Sequence, residues 1–318
     1  MKTSGGRFAL ALCGAAVMLA GCSADSQLAP GPITQNASRL SSRPALGRSW
    51  MAPDLNLKKK DLLYVSNFYG SNVLVFTYPG GKQVGTLTGV ADAEGECTSS
   101  TSKGDWWVVA SGAGEILEYA HGGTSPIATL SETAGEATAC AVDSTTGNLA
   151  AAILGNGDVV IFADAKGMGT IVSTSLTEVF SDAYDSQGDL FVAGLNSGNA
   201  FALVKLRKGS SSFETVTLNE TIEGGGLQWS GRDLVIGNGN ELVRFRIHGT
   251  AGTLEGVTML SGGSDLTAFW IQKPYIVAAD AGNEDAAIWK YPAGGMPIKI
   301  LTGVFDLPSG VVVSVAPK

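Results

Sequence analysis

The sequence predicts an all-β fold made from one unit of four short strands repeated six times, and three observations predict it. One phrase recurs: "TYPGGKQVGTLTG" at 77–89, "EYAHGGTSPIATL" at 118–130 and "KYPAGGMPIKILTG" at 290–303 each set an aromatic before a Gly-rich turn and a short alternating run. Apolar openings recur along the chain at a spacing of about 42 residues, the period of a repeat array. No stretch from Lys60 onward carries ten residues of helical periodicity, and the 43 glycines fall largely in turns that need positive φ. Four strands per repeat at this spacing is the signature of a β-propeller blade.

The elements follow in order. "LLYVSN", "VLVFTYP" and "VGTLTG" at 62–89 supply only three strands of the first unit. The next five units open with "GECTSS" at 95, "ATACAVD" at 137, "VFSDAYD" at 179, "GGGLQW" at 224 and "LTAFWIQ" at 266. Polar turns such as "DSTTGN" and "DSQGD" lead into second strands "WWVVAS", "LAAAIL", "LFVAGL", "LVIGN" and "YIVAAD". Third strands are "EILEYA", "DVVIFA", "AFALVKL", "ELVRFRI" and "AAIWKYP", and the recurring phrase is the hairpin into the fourth. A leftover "PSGVVVSVAPK" at the C-terminus matches the missing inner strand of the first unit. The expected domain is therefore a six-bladed propeller over 61–318, closed by its last strand, which removes the exposed sheet edges that invite aggregation. A seven-bladed ring is the alternative, but nothing before Lys60 reads as strands.

The first residues give an address. Lys2 and Arg7 precede an apolar run from Phe8 to Ala20, too short to span a membrane and stay there. The run ends in "LAGC" at 19–22, which resembles a bacterial lipobox. That resemblance implies a signal peptide over 1–21, lipidation at Cys22 and, with Ser23 following, outer-membrane sorting in a Gram-negative envelope. An ordinary signal peptide cut after Ala24 is the alternative. Residues 22–60 are rich in Ser, Pro, Ala, Gln and Asn, bury too little to fold and read as a tether. The tether holds six basic and two acidic residues, whereas the segment after Lys60 holds 13 basic and 27 acidic, a net charge of −14. Such a globule repels nucleic acid, while the basic tether suits anionic headgroups or serves as a plain solvated spacer. A monomer is expected.

The motifs "CAVDSTTGNLA" (140–150) and "DAYDSQGDLFV" (182–192) resemble inner hairpins of NHL-type and lyase-like six-bladed propellers, and "LYVSNFYGSNVLVF" (63–76) is similar to their first hairpin. The whole chain looks like a group of bacterial propeller lipoproteins. The resemblance implies the fold; propellers of this kind host enzymes, binding modules and scaffolds alike. Streptogramin-lyase relatives depend on a His near the channel. Here His121 ("YAHGG") and His248 ("RIHGT") fall in third-to-fourth-strand turns expected on the outer rim, without converging partners.

Other chemical signals are sparse. "GNGD" at 155–158 and "GNGN" at 237–240 join strands rather than opening helices, and "DAGNEDAAI" at 280–288 lacks calcium-loop spacing. Trp106, Trp107, Trp229, Trp270 and Trp289 fall on strands, where packing is the default role. Acids stand out instead. Asp92, Glu136, Glu178, Glu223, Asp265 and Asp306 each precede an inner strand, with Glu94, Glu96 and Asp182 nearby. In a propeller those crossovers ring one channel mouth and would focus a negative potential there, fit for a divalent cation such as Ca²⁺ or a cationic ligand. Solvated loop acids are the plainer reading. Cys97 and Cys140 occupy equivalent places in neighbouring blades of an exported chain, so a channel-facing disulfide between blades two and three is expected, against two buried thiols.

Together these features point to an exported, lipid-anchored binding or interaction module for a small molecule, glycan or protein. No catalytic constellation is evident. The alternatives are a metal-assisted hydrolase or lactonase using the acidic mouth, and a structural envelope protein.

Overall fold

The computed structural model describes residues 47–53, 56–98 and 102–317. The leader at 1–21, the lipobox cysteine Cys22 and the tether as far as residue 46 lie outside the described residues.

The arrangement is all-β and propeller-like, with four-stranded blades. β1 (Trp50–Met51), β2 (Leu62–Asn67), β3 (Asn72–Thr77) and β4 (Gln83–Thr88) come first. β5 (Ala93–Thr98), β6 (Trp106–Ala110), β7 (Glu115–Tyr119) and β8 (Pro126–Ser131) form one antiparallel meander. β9 (Glu136–Val142), β10 (Leu149–Leu154), β11 (Asp158–Phe162) and β12 (Thr170–Ser173) form the next. β13 (Glu178–Tyr184), β14 (Leu190–Leu195), β15 (Phe201–Leu206) and β16 (Phe213–Leu218) follow, then β17 (Leu227–Ser230), β18 (Asp233–Asn238), β19 (Glu241–His248) and β20 (Ala251–Met259). β21 (Leu266–Gln272), β22 (Tyr275–Asp280), β23 (Asp285–Lys290) and β24 (Gly294–Leu301) precede the terminal β25 (Pro308–Ser314). β25 pairs antiparallel with β2, from Leu62↔Ser314 to Asn67↔Pro308.

Two features depart from the sequence expectation. The strands make five hydrogen-bonded sheets rather than six, because β16 pairs in parallel with β20 through Thr217↔Ala251 and Leu218↔Gly252. Gly252 permits the approach: a Cβ there would lie 2.5 Å from a Leu218 methyl. The second is β1, inside the segment expected as tether. It pairs with β4 through Trp50↔Thr86 and Met51↔Gly85, capping an otherwise open sheet edge. Gly85 makes room for this pairing, since a Cβ there would lie 2.8 Å from the Trp50 carbonyl oxygen.

The core lies between the four-stranded units rather than within any one of them. Parallel faces of inward side chains meet in wedges: Leu62 and Tyr64 against Trp106 and Val108, and Trp107 and Ile116 against Leu149 and Ile153. Ala150 and Ala152 pack on Leu190 and Val192, Phe191 and Leu203 on Leu234 and Phe245, and Val235 and Leu242 on Ile276 and Trp289. Val277 and Ile288 then pack on Leu63 and Phe76 of the N-terminal strands. Trp106 carries much of the first wedge, stacked 3.9 Å from the Tyr64 ring centroid and 5.3 Å from that of Tyr119. Each such ring pair contributes about 0.5–1.5 kcal/mol beyond its area term.

His121 does not stand on the outer rim. It is 8% exposed, with Nδ1 2.6 Å from Ser314 Oγ at the end of β25 and Nε2 3.1 Å from the Lys60 carbonyl. The neighbouring Gly122 N–H donates to the Tyr64 hydroxyl at 2.9 Å. His248 ends β19 and is exposed, as a turn residue should be.

Candidate functional site

The innermost strands β5, β9, β13, β17, β21 and β25 lie beside one another in that order, with β21 beside β25. Residues from all six line one cavity of about 370 Å³. This is within the usual range for small-molecule pockets. Among the lining residues are two acids, Glu96 and Asp182, and no Lys, Arg or His. Five aromatics complete the walls: Phe180, Tyr184, Trp229, Phe269 and Trp270.

Asp182 is the singular member. It sits in the middle of β13, 4% exposed, and neither carboxylate oxygen has a hydrogen-bond partner. The strand's alternation dictates this placement. Ser181 faces β17, accepting the Leu227 N–H at 2.8 Å, so Asp182 projects from the other face of β13, on the side of β9. Burial holds its carboxyl well above the usual carboxylate range, opposed only by its own backbone N–H. A buried polar group left without a partner costs roughly 1–3 kcal/mol, so its retention needs an explanation. Glu96 on β5 is half-satisfied: Ser66 Oγ donates to Oε1 at 2.8 Å while Oε2 has no partner. Burial pushes this carboxyl up too, against the Ser66 bond and the Val312 N–H.

Cys97 and Cys140 also line the cavity, joined by a disulfide with their Cα atoms 5.7 Å apart. The crowding of β5 against β9 makes this span short: at Gly95 a Cβ would lie 2.6 Å from the Ala139 Cα. Cys97 and Cys140 therefore point at each other from neighbouring inner strands.

The six acids expected at the channel mouth are placed at the entries to the inner strands, but none lines the cavity. Glu136 and Glu178 open β9 and β13. The backbone N–H groups of Glu223, Asp265 and Asp306 donate to Asn238, Asp280 and Asn67 side chains, tying down each crossover. Asp92 adopts φ 47° in its turn, and its carbonyl accepts from Ser111 Oγ at 2.9 Å. No group of three or more His, Cys, Asp or Glu side chains suited to a metal ion occurs among the described residues, so the ring of six does not converge on one ion. Next to it, the Glu94 carboxyl is pushed up to about 8 by burial, with the negative charges of Glu136 and Asp92 adding and the Ser111 hydrogen bond opposing.

The sequence reading missed the aromatic wall. Trp106, Trp107 and Trp289 are fully buried packing residues, but Trp229 and Trp270 are partly exposed and face the cavity. The signal was present in the inner-strand openings, where "VFSDAY" embeds an acid in an apolar run and "LQW" and "AFW" carry aromatics.

No family model matches the chain, and a search of curated proteins finds no match. Solved structures do resemble it. A chain of a nidogen/laminin complex superposes with a TM-score of 0.68 at 10% identity, covering 81% of this chain and 100% of its own. A functionally unknown protein from Desulfotomaculum acetoxidans superposes with a TM-score of 0.57 at 11% identity, covering 80% and 99%. At such identities the likeness is one of fold, and the fold is a propeller.

Proposed function

We propose that the chain is an exported, lipid-anchored six-bladed propeller that acts as a binding module, holding a small molecule in its channel. The count of six treats the eight-stranded sheet as two blades and β25 as the inner strand completing β2–β4. Six apolar wedges, one between each neighbouring pair, support that count. Export and anchoring rest on "LAGC" at 19–22 after its apolar run. The net charge of −14 after Lys60 argues against a nucleic acid partner.

The observation that carries the binding reading is the cavity itself. Six inner strands line a space in which carboxyl oxygens of Asp182 and Glu96 are left without partners. A scaffold that only displayed its surface would gain from an apolar or self-satisfied channel. Gly226 offers a clean test, since an added Cβ there meets only the Phe269 ring at 3.6 Å. The purified protein is incubated with a small-molecule extract, washed and denatured, and the released compounds are read by mass spectrometry. A compound enriched by the unaltered protein and lost in a folded Gly226→Leu variant is the expected result. Identical profiles from the two proteins overturn the channel as the site.

A further inference from the structure

We propose that the channel takes an organic ammonium ion with a flat apolar body, and that Asp182 is its counter-charge. This deepens the reading above and rests on the channel being a ligand site. The lining carries two carboxyl groups and no basic side chain, so an anion finds no counter-charge there, whereas a cation favours the ionised form of a carboxyl that burial alone keeps protonated. Asp182 is 4% exposed and neither of its oxygens has a hydrogen-bond partner in the chain, so no neighbouring side chain neutralises the carboxyl when it ionises. An ammonium group brings N–H donors or a diffuse positive charge to that place.

The walls decide between kinds of cation. A hard metal ion wants six or more oxygen ligands, and no metal-suited group of side chains occurs among the described residues. Phe180, Tyr184, Trp229, Phe269 and Trp270 instead make the lining rich in aromatic rings, which attract an organic cation and stack on a flat body. The cavity of about 370 Å³ sets the scale as a small metabolite rather than a peptide chain.

Three near-isosteric probes test this by calorimetric titration of the purified protein: 2-phenylethylammonium, 2-phenylethanol and 3-phenylpropionate. The ammonium should bind at least tenfold tighter than the alcohol, and the carboxylate weakest. Asp182→Asn should weaken the ammonium at least tenfold and leave the alcohol within about twofold, and Gly226→Leu should weaken both. Equal binding of ammonium and alcohol, indifferent to Asp182→Asn, overturns the ammonium assignment while keeping the channel as a site. No binding of the ammonium at millimolar concentration also overturns it, and the extract experiment then judges the channel independently. Ammonium binding unchanged by Gly226→Leu places the cation elsewhere and overturns the proposal. Should Asp182→Asn fail to fold, the ranking of the three probes on the unaltered protein decides.

Discussion

Cys97 and Cys140 stand 43 residues apart in sequence and are bonded to each other across the innermost strands β5 and β9. The bond closes a loop containing β6, β7, β8 and most of β9, so it restrains the unfolded chain over a long span. Loop-closure entropy for such a length gives roughly 4 kcal/mol of stabilisation. Alkylation under denaturing, non-reducing conditions should leave both cysteines unlabelled, with a mass deficit of two hydrogens. Cys140→Ala should lower the stability measured in urea by about that amount; full labelling, or an unchanged midpoint, counts against the bridge.

The terminal strand should be essential to the whole domain. Deleting residues 307–318 removes β25, which pairs with β2, packs Val311, Val312 and Val313 into two wedges and presents Ser314 to His121. The truncated chain should lose its cooperative thermal transition by circular dichroism. A sharp melt at the original temperature would show that the first three strands do not need their partner.

His121→Ala should loosen both ends of the domain at once. The imidazole meets Ser314 Oγ and the carbonyls of Leu57 and Lys60, and Ser314 Oγ also donates to the Gly104 carbonyl. Losing these contacts leaves buried polar atoms unpaired, at a cost of about 1–3 kcal/mol. Limited proteolysis should then cut near residues 56–60 sooner than in the unaltered protein. An unchanged cleavage pattern would mean that β1 and its partners hold this segment alone.

Glu94 should make stability fall as pH rises. Unfolded, its carboxyl titrates near 4.5; folded, it titrates near 8. Between those values the folded chain keeps a proton that the unfolded chain has lost, so this group's contribution is full below pH 4.5 and declines up to about pH 8. Urea midpoints measured across that window should fall with pH less steeply in Glu94→Gln. Parallel curves for the two proteins would show that Glu94 titrates normally.

Cys22→Ala should move the protein from the membrane fraction to the soluble exported fraction, because the lipobox resemblance puts the lipid on that side chain. Detergent partitioning that does not change with the substitution would make the leader an ordinary one.

Local chemistry in this sequence determined the strands, their order and the repeat. Period-two alternation in "LLYVSN" or "ELVRFRI" and the turns at "DSTTGN" and "DSQGD" act over a few residues, so they are legible without any partner. The strand at Trp50–Met51 was not legible, because two residues carry no period and the pairing depends on Gly85 making room for the Trp50 carbonyl. The fusion of β16 with β20 likewise depends on a close approach at Gly252. The acids before each inner strand could be counted from the sequence, but whether they converge is a matter of distances across the channel, and they do not. What the tertiary structure decided is the site: it turned Asp182 and Glu96 inward without full partners and set Trp229 and Trp270 beside them. Side chains that meet there come from strands some forty or more residues apart, and a carboxylate's lack of a partner is a property of everything packed around it.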